Sequence, residues 1–186
     1  MLTPLATSML AMLCERPMHC YEMYREMQRR HEDRIVKVKP GSLYHTMDRM
    51  CAAALVVATG TDRAGARPER TTYAITAAGR AALTDWVRDV LAEPVNEYPR
   101  LPVALAESRH LPRAEVVTLL RTRIDRLEDV VVDDEKNIEA AYAHGVVEAH
   151  LVDAHFLLDM TRAELGWLRR LVDRLENKEL TWPSDR

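Results

Sequence analysis

Two groups of residues in this 186-residue chain have the types and spacing to grip a polyanion. The first is Ser42, Tyr44, His45, Thr46 and Arg49, at the start and on the outer side of an expected helix, with Lys37 and Lys39 leading into it. A helix that reads base edges in a major groove needs a narrow polar face of this kind, with cations beside it for phosphate. The second is Arg63, Arg67 and Arg70, in a Gly- and Pro-containing tip between two short strand patterns, where a wing lies along the backbone or minor groove. Either group alone favours the reading of a solvated face or loop. Their occurrence together, in that order, favours DNA.

Other chemistries find little support. Ser42 and His45 are an i, i+3 pair, but no third group or oxyanion element accompanies them, so no catalytic residue is assigned and no enzyme is expected. His144, His150 and His155 are spaced six and five apart, which does not align them on one helix face. Cys14, Cys20 and Cys51 lack C-x-x-C spacing and read as reduced, packed thiols of a cytoplasmic protein, so neither a metal nor another cofactor is expected. Asp133, Asp134 and Glu135 read as a solvated helix face. With six scattered glycines there is no G-x-G-x-x-G or P-loop pattern to cradle a phosphate.

The elements that position the first group follow from local signals. Thr3-Pro4 opens a helix with an N-cap hydroxyl and a first-turn proline. Leu5, Met9, Met12 and Leu13 form its apolar face, and Pro17 stops it. A second helix is expected from about Tyr21 to Arg30, burying Tyr21, Tyr24 and Met27. Gly41 and Ser42 open a third, with Leu43, Met47, Met50 and Ala54 inward. The β-branched runs Leu55–Thr59 and Thr71–Thr76 predict a hairpin. A fourth helix from Thr76 carries Leu83, Trp86, Val87 and Val90. Three helices and then a hairpin is the order of a winged helix-turn-helix, so the fold class is mainly α with a two-strand wing and an all-α domain behind it.

Charge separates two regions. Residues 1–76 hold 11 basic and 8 acidic residues, a balance of +3; the other 110 hold 15 and 21, a balance of −6, giving the net −3 of the whole chain. Eight of the nine methionines fall in the first 50 residues. Pro94, Pro99 and Pro102 make a continuous helix improbable there, so a winged domain over 1–92 and a helical one over 93–186 are expected. Two long helical seams fill the second, Val117–Ile138 broken once at Asp134 and Leu151–Leu175 broken once at Thr161. Helices of this length need long partners, and an antiparallel pair completed by a second subunit assigns dimer contacts to Leu120, Ile124, Leu127, Leu158, Leu165, Leu168 and Val172. The longest uncharged apolar run has eight residues, far short of a membrane span, and no basic stretch with an apolar core at the N-terminus suggests a secretory signal.

The run Pro40-Gly-Ser-Leu-Tyr-His-Thr-Met-Asp-Arg-Met50, then Leu55-Val56 and Tyr73-Ala-Ile-Thr-Ala-Ala-Gly-Arg-Ala-Ala-Leu83, resembles the PadR family of bacterial transcriptional regulators. Pro17-Met-His-Cys-Tyr-Glu22 is similar to the family's Pro-x-x-Gly-Tyr-Glu segment, and Ala163-Glu-Leu-Gly-Trp-Leu168 to the end of its longer C-terminal domain. Cys20 and Ala54 stand where the family usually has glycine. The resemblance implies a homodimeric repressor on an inverted-repeat operator in double-stranded DNA, with release by a small molecule as a further expectation. It places Ser42 and Tyr44 in the recognition-helix motif and Arg67 and Arg70 in the basic wing. Because some family members bind flat aromatic compounds, Trp86 is the candidate for a small aromatic effector, against the plainer reading that Trp86 and Trp167 pack in helix or dimer cores and Trp182 lies on a frayed tail. Two alternatives stay open on the residues alone: a helical dimeric protein-interaction module whose winged domain no longer touches DNA, and a metal- or ligand-sensing winged-helix regulator of another family.

Overall fold

The computed structural model describes residues 2–62 and 70–183, and the chain divides into two compact units, Met1–Glu97 and Tyr98–Arg186. The expected wing residues Arg63 and Arg67 lie outside the described residues.

The first unit orders α1 (Pro4–Glu15), α2 (Cys20–Arg29), α3 (Pro40–Ala52), β1 (Val56–Asp62), β2 (Arg70–Ile75) and α4 (Ala77–Ala92). Three of the helices start on side-chain caps. Thr3 Oγ accepts from the Ala6 N–H at 3.3 Å, His19 Nδ1 from the Glu22 N–H at 3.0 Å, and Thr76 Oγ from the Gly79 N–H at 3.0 Å. Methionine fills the core: Met9, Met12, Met18, Met23, Met27, Met47 and Met50 are all buried with Leu10, Leu13, Leu43 and Val56. The unbranched thioether adapts to the irregular gaps between three crossing helices. β1 and β2 pair antiparallel with an irregularity between Ala58 and Gly60, and Met18 adds a two-bond bridge to Tyr73 (3.1 and 2.9 Å) that ties the α1–α2 connection to the hairpin. This is a winged helix.

Several local expectations change. Tyr21, expected inside, is half exposed, because Cys20 and Met23 take the inward positions of α2. Ala54 lies beyond the end of α3, in the left-handed region at φ 56°, and faces solvent. There it completes a helix-ending motif in which the Ala54 N–H donates to Cys51 O and the Leu55 N–H to Met50 O, both at 2.9 Å. Cys20, by contrast, has no positive φ and is a small buried residue in the first turn of α2. On α4, Val87 and Val90 are exposed, and only Gly79 is fully buried. A Cβ on Gly79 would lie 2.2 Å from Leu55 O and 2.8 Å from Ile75 Cγ1, so α4 can sit on the hairpin only because this residue has no side chain.

The second unit holds α5 (Arg100–Glu107), α6 (Arg113–Ala143) and α7 (Val152–Glu176). Sequence reasoning missed α5, whose Pro99 and Pro102 fall at its N-cap and in its first turn, where the missing N–H costs nothing. α6 and α7 form an antiparallel pair. Arg121–Glu176, Glu128–Arg169 and Glu135–Arg162 bridge them at 2.5–2.6 Å in steps of seven residues on both helices, with Arg123–Glu164 alongside. Seven is the interval at which two packed helices present the same side to each other.

The seam residues behave differently from their assignment. Leu120, Ile124, Leu158, Leu165, Leu168 and Val172 are buried and Leu127 half-buried within a single chain, so α6 and α7 satisfy each other's apolar stripes. Within one chain these residues face the α6–α7 seam, and of them Leu127 keeps partial exposure. Asp134 is 2% exposed rather than on a solvated face, because it occupies a seam position. Trp182 is no frayed residue: its Nε1–H donates to Leu111 O at 2.8 Å and its ring joins the core of this unit. Trp167 is 45% exposed within the single chain. No described helix is long and apolar enough to cross a membrane.

Candidate nucleic-acid interface

α3 turns one face into the methionine core through Leu43, Met47 and Met50, and this fixes where its other residues point. Tyr44 (55% exposed) and His45 lie on the outward side. Ser42, Thr46 and Arg49, spaced four and three apart, share a flank. Of these, Thr46 and Arg49 line a cavity against α1 and α4. The expected recognition residues therefore divide between an outward pair and a flank. Arg70 opens β2 opposite Asp62.

Ion pairing distinguishes the basic residues of this unit. Arg16 holds Glu22 at 2.5 Å, and Arg30 holds Glu15 and Glu26 at 2.6 Å while Arg29 also bonds Glu26. The Arg29 and Arg30 guanidiniums hold the Glu26 carboxyl down to about 2, against an ordinary 4.5. These charges are internally neutralised and bind α1 to α2. Lys37, Lys39 and Arg49 form no ion pair among the described residues, and all three are exposed. The segment entering α3 thus keeps its positive charge available to an outside anion. Lys39 is the N-cap of α3 and Pro40 its first helical residue, which directs the positive end of the helix the same way.

The cysteines offer no comparable chemistry. Burial pushes the Cys20 thiol up to about 11, with the Asp48 carboxylate adding to it, and burial also raises Cys51. Thiols held protonated are poor nucleophiles and poor metal ligands. Among the described residues no group of three metal-ligating side chains converges.

The cavity encloses about 450 Å³ within the first unit. α1 contributes Ala6 and its leading residues Leu2 and Thr3; α3 contributes Thr46, Arg49 and Met50; α4 contributes Asp85, Trp86 and Asp89. Trp86, the expected effector residue, is half-buried in this wall. Asp85 and Asp89 were missed at the sequence level, although their spacing of one before and three after Trp86 places them around it on one helix.

Residues 9–85 match the model of the transcriptional regulator PadR-like family. The whole chain is similar in fold to Bacillus subtilis PadR in complex with operator DNA, with a TM-score of 0.78 and 15% identity over 94% of this chain and 99% of that one. It is similar to the same PadR in complex with p-coumaric acid (TM-score 0.70, 15% identity, 92% and 98%). A third likeness is to the Vibrio cholerae virulence activator AphA (TM-score 0.71, 19% identity, 94% and 99%). No curated protein matches the chain.

Proposed function

We propose that this chain, which belongs to the transcriptional regulator PadR-like family, binds operator DNA through α3 and the segment that enters it. It is a DNA-binding transcriptional regulator in a family of regulators rather than enzymes. Tyr44 and His45 read base edges from the outward side of α3. Ser42, Thr46 and Arg49 set register from its flank, and Lys37 and Lys39 supply phosphate contacts. Arg63, Arg67 and Arg70 extend those contacts along the wing. The observation that carries this reading is the set of three cations beside α3 that have no ion-pair partner among the described residues, while Arg16, Arg29 and Arg30 are neutralised by carboxylates. It acts in the cytoplasm as a homodimeric repressor, with recognition helices about 34 Å apart on an inverted repeat.

The subunit contact is carried by the outer side of α7. Val152, Phe156, Met160 and Trp167 lie at steps of four, four and seven, and are between 45% and 64% exposed. A stripe of this kind on a long helix suits an antiparallel contact with its own copy.

The test is binding of the full chain to the promoter fragment of its own gene, followed by fluorescence anisotropy across salt concentrations. Each phosphate contact adds about 0.9 to the slope of log affinity against log salt, so K37A/K39A flattens the slope by about 2 per DNA-bound protomer. An unchanged slope removes the entry segment from the interface. No binding at low salt by dimeric protein favours the protein-interaction module instead.

A further inference from the structure

We propose that Asp48, on the outward side of α3, selects cytosine in the operator by accepting a hydrogen bond from the exocyclic amine of that base. This rests on the operator reading above and names one base that α3 reads. At 3.6 residues per turn, Asp48 projects about 40° round the helix axis from Tyr44 and about 60° from His45, one turn further along. It is exposed, as those two are, while Leu43, Met47 and Met50 hold the other side of the helix in the core.

Its neighbours leave this carboxylate open where others are closed. α1, α2 and α3 carry four acidic residues, Glu15, Glu22, Glu26 and Asp48. Glu15 is held by Arg30, Glu22 by Arg16, and Glu26 by Arg29 and Arg30. Asp48 forms no ion pair among the described residues, although Arg49 follows it in the chain. Its charge is felt at Cys20 on α2 and Tyr73 on β2, groups that cannot neutralise it. A negative group on a face turned to DNA lowers affinity for every sequence, since it repels the phosphates that Lys37, Lys39 and Arg49 attract. Its place there is accounted for by a bond that it gains on some sequences only.

A carboxylate only accepts hydrogen bonds. In the major groove guanine shows two acceptors, N7 and O6, and thymine shows the acceptor O4 beside its methyl group. Both therefore repel Asp48. Adenine shows the N6 donor beside the N7 acceptor, so one carboxylate oxygen bonds while the other faces a lone pair. Cytosine shows the N4 donor with no acceptor of its own in that groove. Asp48 thus ranks cytosine first, adenine second, and guanine and thymine last.

Selection of a randomised DNA duplex library by the full chain, followed by sequencing, reads the preference at every position. The native chain should select a motif in which one position of each half-site takes cytosine, with guanine and thymine there weaker by about 5- to 150-fold. D48A should flatten that position alone, keep the rest of the motif, and bind unselected DNA more tightly because a repulsive charge has gone. D48N should turn the same position to adenine, since an amide offers the acceptor and donor that match N6 and N7. A residue that merely holds the helix in shape produces no such switch. Thermal melting of both variants checks the fold, and D48N is nearly the same shape as the native residue. A motif unchanged at every position in D48A and D48N overturns this inference and leaves the operator reading standing. A loss spread evenly over the whole motif also overturns it, and assigns Asp48 to the shape of α3. A native chain that selects no motif at low salt overturns the operator reading and this inference with it.

Discussion

Replacing Ala54 by glycine should stabilise the protein. Ala54 sits at φ 56°, just past the end of α3, held by the bonds Ala54 N–H to Cys51 O and Leu55 N–H to Met50 O. The same pair of bonds recurs after α6, where Gly145 at φ 79° donates to Tyr142 O at 2.9 Å and Val146 to Ala141 O at 3.0 Å. One motif is thus closed once by alanine and once by glycine. The left-handed conformation costs a residue with a Cβ about 1–2 kcal/mol. Glycine returns about 0.4–1 kcal/mol of this through the greater freedom of its unfolded chain. The net gain from A54G is about 0.5–1 kcal/mol, and G145A should lose a similar amount. For a unit of about 100 residues that unfolds independently, the gain is a rise of about 2–8 °C in Tm. A W167F/W182F background leaves Trp86 as the only indole, so its emission during heating reports the first unit, which contains Ala54. Unchanged or lowered Tm for A54G, with G145A also neutral by calorimetry, refutes the view that left-handed backbone at these helix ends carries a cost.

Three further outcomes follow from other contacts. G79A drives a Cβ to within 2.2 Å of a backbone carbonyl that cannot swing away, so it should destabilise the first unit by about 3 kcal/mol or more, measured by urea unfolding; a loss under about 1 kcal/mol would mean that α4 shifts freely. Because the folded Glu26 carboxyl lies near 2 and the ordinary value is 4.5, its stabilisation is complete above about pH 4.5 and disappears as pH falls towards 2. E26Q should therefore cost stability at pH 7, and the gap to the native chain should close between pH 4.5 and 2; a gap constant with pH counts against the Arg29–Glu26–Arg30 cluster. F156D should convert dimer to monomer in light scattering, since withdrawing a large apolar side chain from an interface removes about 1.5–3 kcal/mol, roughly 10- to 150-fold in dissociation constant. A variant that stays dimeric at micromolar concentration places the contact on another face.

The parts of the fold legible from sequence are those with local causes. Thr3-Pro4 marked the start of α1, and Thr76 three residues before Gly79 marked the start of α4, because a cap is a bond between residues three apart. The β-branched runs around the Gly- and Pro-containing tip announced the hairpin, and apolar residues three and four apart announced α6 and α7. The outward face of α3 was equally readable, since Leu43, Met47 and Met50 on one side dictate Tyr44 and His45 on another. Sequence also separated a basic, Met-rich region from an acidic one, and whole-chain charge hid that division.

Tertiary structure decided what depends on residues far apart along the chain. Whether a stripe on α6 meets α7 of its own chain or of another cannot be read from periodicity, which is the same in both cases; the seven-residue ion-pair ladder resolves it within one chain and leaves the outer side of α7 open. Asp134 and Trp182 were misplaced for a related reason, because burial at a seam and docking of a tail are set by the neighbour. The cavity arises only when Thr46 and Arg49 are brought against Asp85, Trp86 and Asp89, some forty residues away. Local patterns thus determined most of the elements, though not α5, and most of the faces they turn, though not the side of Tyr21, since backbone bonds and side-chain periods act over a few residues. What those faces meet was settled by packing, which acts between residues that the chain order leaves unrelated.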